Sequence, residues 1–147
     1  MPSTQVFFLL AATLALGAPN FASFETFGTD VLVERWHMSV ANANKISSLP
    51  QGSCVLLMPL VGAVYDAVAD RSHRVRGAIV GLVLFSASWM SLTHGLGPRH
   101  LTPILATVGI ALGASLFFGG TWPSVPLLVD RAHLGTAYGF MTAFQNL

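Results

Sequence analysis

Asn44, Ser48 and Gln51 fall at i, i+4 and i+7, so a helix through them carries three uncharged polar side chains on one face. They open an otherwise apolar segment, and polar groups inside such a segment face a helix bundle or a wet cavity. The stripe predicts either the lining of a solute pathway or hydrogen bonding between helices. A second group lies further along, in Phe117-Phe118-Gly119-Gly120-Thr121-Trp122-Pro123-Ser124-Val125-Pro126. Gly119 and Gly120 weaken a helix, while Pro123 and Pro126 each remove an amide donor. Where water is scarce, a broken backbone persists only against protein or a cavity. The segment therefore predicts a gate or hinge with Trp122 beside it, or a kinked helix end with Trp122 at the interface. A third group is charged: Gly62 and Asp66, then Asp70, Arg71, His73 and Arg74. A carboxylate at a helix end can pair with arginine and with a neighbouring helix N-terminus, latching one conformation. The alternative is a basic loop that only orients the chain.

Chemistry of other kinds finds no support in the pattern. The five histidines do not recur at metal-ligand spacing, and no Ser/His/Asp set, phosphate-cradling glycine loop or H-E-x-x-H run occurs. Neither an enzyme, a metal site nor a cofactor is expected. Cys54 stands alone, so no internal disulfide forms, and its apolar surroundings suit a small packed side chain. His94 reads as a packing or hydrogen-bonding residue. A net charge of +1 supplies no basic field for nucleic acid.

Composition decides what must position these residues. Hydrophobic residues make up 53% of the 147, charged residues only 9%, and mean hydropathy is +0.66. Soluble domains carry roughly a quarter charged residues. No charge precedes Glu25, and further uncharged runs cover Ile46–Tyr65, Gly77–Pro98 and His100–Val129. Each meets the requirement of about 20 residues for a membrane-crossing helix. Backbone amides in lipid must be satisfied within their own segment, so the runs predict helices; the short alternating strands of a barrel are absent.

The expected architecture is an all-α membrane bundle of four full spans and a truncated fifth. The spans are placed at about Gln5–Phe24, Ala43–Tyr65, Gly77–Leu96, Leu101–Val129 with an interruption, and Leu134–Leu147. The first also resembles a signal-peptide core, but Met1–Gln5 holds no basic residue and apolar character resumes at Phe21 and Phe24. The last stops in mid-pattern, which predicts a partial chain or a short re-entrant or interfacial terminus. Arg71, Arg74 and Arg76 crowd the Asp66–Arg76 loop, predicting that it is cytoplasmic. Glu25–Ser39 is then a loop on the lumenal or external side, and Trp122 lies toward the cytoplasmic end.

The Gly62–Arg74 segment resembles the Gly-x-x-x-Asp-(Arg/Lys)-x-Gly-(Arg/Lys) loop of the major facilitator superfamily. The match is imperfect in either register: Ala67 follows Asp66 where a basic residue belongs, and His73 takes the second glycine position after Asp70-Arg71. Trp122-Pro123, Leu134-Gly-Thr-Ala-Tyr-Gly-Phe-Met141 and Gln145-Asn146-Leu147 resemble the lysosomal dipeptide transporter family of that superfamily. Ala43, Asn44, Ile46, Ser48, Pro59 and Gly62 add weaker likeness, so the resemblance covers about Asn42–Leu147. It implies a C-terminal transporter bundle, roughly the seventh to eleventh of about twelve helices, in a lysosomal membrane. It further implies dipeptide uniport toward the cytosol, with a glycosylated single-span accessory protein as partner. Half of any central substrate site would then come from an N-terminal bundle. A non-transporting scaffold is the competing function, because the small-residue face Gly77-Ala-Ile-Val-Gly81 suits association with other helices.

Overall fold

The computed structural model describes residues 3–67, 71–96 and 101–146. Among them every regular element is helical. Helix α1 runs over Ser3–Glu34, α2 over Val40–Ala67, α3 over Arg71–His94 and α4 over Thr102–Thr121. A 3-10 turn at Trp122–Ser124 leads into the short α5, Val125–Leu128; a second at Arg131–His133 precedes α6, Leu134–Gln145. Four stretches are long and apolar enough to cross a membrane: Thr4–Glu34, Val40–Ala67, His73–His94 and Thr102–Leu128. Their outward faces carry Leu16, Val55, Leu56, Leu60 and Val64, each more than 60% exposed. Such faces are suited to lipid or to other membrane helices. The chain is a multi-pass integral membrane protein with an all-α bundle fold.

The first helix differs from the sequence expectation. It does not yield to a loop at Glu25 but continues to Glu34, placing Glu25 and Asp30 on the helix. Nothing between Phe24 and Glu34 forces a break, since the stretch holds no proline and a single glycine. Pro19, earlier in α1, is accommodated: the Ser23 hydroxyl donates to the Pro19 carbonyl at 2.7 Å. The chain reverses immediately after Glu34, where His37 takes a left-handed φ of 55° and the Met38 amide donates to the Leu32 carbonyl.

Lipid is as apolar as a leucine core, so close packing rather than water exclusion must hold these helices together. The nearest approach joins α3 and α4. A Cβ on Gly81 would lie 2.7 Å from the Gly113 carbonyl, and one on Gly113 would lie 2.6 Å from the Phe85 amide nitrogen. The two backbones touch because neither glycine has a side chain. Helix α4 is the central element, packed against α3, α2 and α1, and its buried hydroxyls turn back on their own helix. Thr107, Ser115 and Thr121 each donate to the carbonyl four residues earlier, at 2.6–2.8 Å.

Two clusters of buried side chains stack along the bundle. One joins Leu10, Leu14, Ala78, Phe117, Val125, Ala137 and Met141, fixing α6 against α1. The other joins Phe24, Leu32, Phe85, Leu92, Ala106 and Ile110 around the α1–α2 turn. That turn is tied to the end of α3: Arg35 donates to the His94 carbonyl at 2.7 Å, and Trp36 Nε1 to the Leu92 carbonyl at 2.9 Å. A cation at a helix C-terminus satisfies carbonyls the helix cannot. Gly95 ends α3 with φ 68°, while Leu96 N–H donates to the Ser91 carbonyl five residues back.

Candidate functional site

A groove of about 710 Å³ opens between α1, α2, the end of α4 and α6. Its walls are Phe21 and Glu25 from α1, Gln51, Cys54, Met58 and Gly62 from α2, Phe118–Pro123 at the α4 break, and Gln145 from α6. Part of its lining is polar. Gln51 Nε2 donates to Glu25 Oε1 at 2.6 Å, the length of a charge-assisted bond. Aromatic rings share the groove. Phe21 meets Phe118 edge-on at 5.3 Å, and Trp122 stacks on Tyr138 of α6 at 6.0 Å with the rings 16° apart. Cys54 lies beside α4, its Sγ 3.5 Å from Ser115 Oγ.

The polar stripe of α2 divides. Gln51 reaches the groove, whereas Asn44 faces α1, its Oδ1 accepting from the Thr29 hydroxyl at 3.2 Å. Ser48 is exposed and donates to the Lys45 carbonyl at 3.0 Å. Helix-to-helix bonding engages both Asn44 and Gln51, and Gln51 is the member that also lines the groove.

The glycine–proline segment also resolves into distinct parts. Gly119 and Gly120 do not break α4; they sit inside it as close contacts. A Cβ on Gly119 would lie 3.0 Å from Val61 of α2, and one on Gly120 2.9 Å from the Arg74 carbonyl of α3. The departure from α-helix comes after them, at Trp122–Ser124, where Pro123 supplies no amide donor. There the Ser124 hydroxyl donates to the Gly120 carbonyl. Pro126 follows within α5. Proximity of Gly120 to Arg74 also places Trp122 at the arginine-loop end of the bundle.

In the loop motif, Arg74 donates to Asp66 Oδ1 at 2.7 Å, an ion pair from the end of α2 to the first turn of α3. Asp66 is 75% exposed and Arg74 only 16%. Gly62 does not mediate close helix contact as its type suggests: a Cβ there would meet nothing within 4 Å, because the residue borders the groove. Asp70 and the Arg71 side chain lie outside what is described. No cluster of three or more potential metal ligands occurs among the described residues. His94 bonds locally, Nδ1 lying 3.0 Å from the Met90 carbonyl.

Sequence reasoning missed Glu25, Phe21 and Phe118. Phe21 and Glu25 stand one turn apart with no helix breaker between them, a spacing that could have kept Glu25 on the span.

In sequence the chain resembles curated proteins. Lysosomal dipeptide transporter MFSD1 of Mus musculus is 28% identical over 125 residues, covering 84% of this chain and 25% of the relative. The Bos taurus protein of the same name is 31% identical over 114 residues, 78% of this chain and 23% of its own length. This chain is similar to the lysosomal dipeptide transporters named MFSD1. It spans about a quarter of the length of the MFSD1 proteins it matches, within their C-terminal half. No family model matches the chain, and no solved structure does. The likeness to MFSD1 fits a bundle of membrane-length helices around an open groove. The face that favoured a scaffold is consumed internally: Gly77 abuts Tyr65, and Gly81 abuts Gly113.

Proposed function

We propose that this chain forms one side of a transporter that carries dipeptides across the lysosomal membrane by alternating access. The observation that carries the reading is the groove, which sets the polar Glu25–Gln51 pair beside aromatic rings within membrane-length helices. A soluble peptide needs such a combination, because its charged backbone ends require polar partners and its side chains require apolar ones. The irregular backbone at Trp122–Ser124 borders the same groove, the position expected of a gate. In the proposed protein the opposite wall comes from further helices, and the arginine-rich end faces the cytosol. A single-span accessory protein belongs to the same proposal; copurification from lysosomal membranes tests it.

The deciding experiment reconstitutes the complete transporter in liposomes and follows uptake of a labelled dipeptide. Saturable uptake, competed by other dipeptides and not by free amino acids, is the expected result. Folded protein that moves no dipeptide overturns the proposal.

A further inference from the structure

Glu25 is the one charged side chain lining the groove among the described residues. It stands about 13 Å from the Glu34 end of α1, by the rise of roughly 1.5 Å per residue. A carboxylate on a membrane-length helix carries a cost unless a partner offsets it. The Gln51 amide offsets part by binding Oε1. A carboxylate accepts at about four positions, and no lysine or arginine of the described groove lining fills the others. Phe21, one turn before Glu25, and Phe118 present ring faces and edges to the same space. Carboxylate, amide oxygen and aromatic faces together recognise a primary ammonium group, by charge, by hydrogen bond and by cation–π attraction.

We infer that Glu25 and Gln51 form a subsite for a substrate ammonium group, with Gln51 holding the carboxylate in position. This rests on the transport reading for its biological use but not for its chemistry. The geometry selects a free amine over an acylated one. Acylation removes the charge, and a neutral amide would leave the Glu25 carboxylate without its counter-ion.

The test uses the complete protein in membranes, with a hydrophobic carbodiimide as the reagent for membrane carboxylates and mass spectrometry to read modification at Glu25. Dialanine methylamide, a monocation without a carboxylate, is compared with its neutral N-acetyl form. At several times its dissociation constant the cation slows modification about fivefold, and the neutral form leaves it unchanged. Equal rates with both probes overturn the inference and indicate a carboxyl that handles a proton or pairs elsewhere. A Glu25 that never reacts overturns it too, since the carboxylate is then closed to the groove. Uptake supplies the second readout: a preference of about tenfold for free over N-acetylated dipeptide is lost in Glu25→Gln. Retention of that preference defeats the subsite. Protection without any dipeptide uptake leaves the ammonium site standing and removes dipeptide transport; uptake without protection does the reverse.

Discussion

Trp122 touches the groove with one side of its ring and Tyr138 with its face, so two kinds of loss follow from its removal. Losing the stack costs about 1 kcal/mol. Losing a wall of the proposed gate would act on the rate instead. Trp122→Ala in the complete transporter is expected to slow dipeptide uptake about tenfold while the melting temperature in detergent falls by only a few degrees. Trp122→Phe, which keeps a ring against Tyr138, restores most of the rate. Uptake unchanged in the alanine variant removes Trp122 from the gate. Legibility in the sequence differs between neighbouring residues for a physical reason. Gln51 stood out because a polar group in an apolar run is conspicuous whether it lines a groove or bonds a neighbouring helix. Glu25 did not, because a carboxylate after a full-length apolar run looks like the start of a loop. Only the length of α1 and the bond from the Gln51 amide show that Glu25 stays on the helix and lines the groove.

Helices were legible wherever their length was set by lipid and poorly legible where packing set their ends. The charge-free runs fall on the four helices that are long and apolar enough to cross a membrane, because hydrocarbon thickness sets a minimum length. The end of α1 escaped because Arg35 and Trp36 anchor it to α3, a contact no local pattern encodes. Small residues show the same division. Gly81 was recognised as part of an association face, but whether its partner lies inside or outside the bundle was open until Gly113 was seen against it. That pairing makes a strong claim about α3 and α4. Gly113→Leu drives a side chain into the Phe85 backbone, which cannot yield as a flexible side chain would. A loss of about 1–3 kcal/mol is expected from overpacking. Gly135→Leu, at a position where a Cβ meets nothing within 4 Å, is the control and leaves stability within about 0.5 kcal/mol. Equal thermal stability of the two variants in detergent would show that the α3–α4 contact is dispensable.

At the scale of the whole molecule, the Asp66–Arg74 pair poses the sharpest question. A latch must join parts that move relative to one another, yet this pair spans adjacent ends of α2 and α3. With Asp66 75% exposed, the pair adds less than about 1 kcal/mol to folding. Its larger consequence in the proposed cycle is orientational. Arg74, mostly buried, has its backbone carbonyl against Gly120, two residues before the Trp122–Ser124 break. Fixing the Arg74 side chain to Asp66 thus fixes the helix end on which the proposed gate rests. Asp66→Asn should therefore lower uptake several-fold, with a melting shift of no more than a few degrees. Exchanging the charges, Asp66→Arg with Arg74→Asp, tests geometry against charge alone. Recovery of uptake in the double variant assigns the effect to the pair, whereas failure with normal folding assigns it to Arg74 itself. Should Asp66→Asn leave both rate and melting unchanged, the loop serves only to orient the chain by its positive charge.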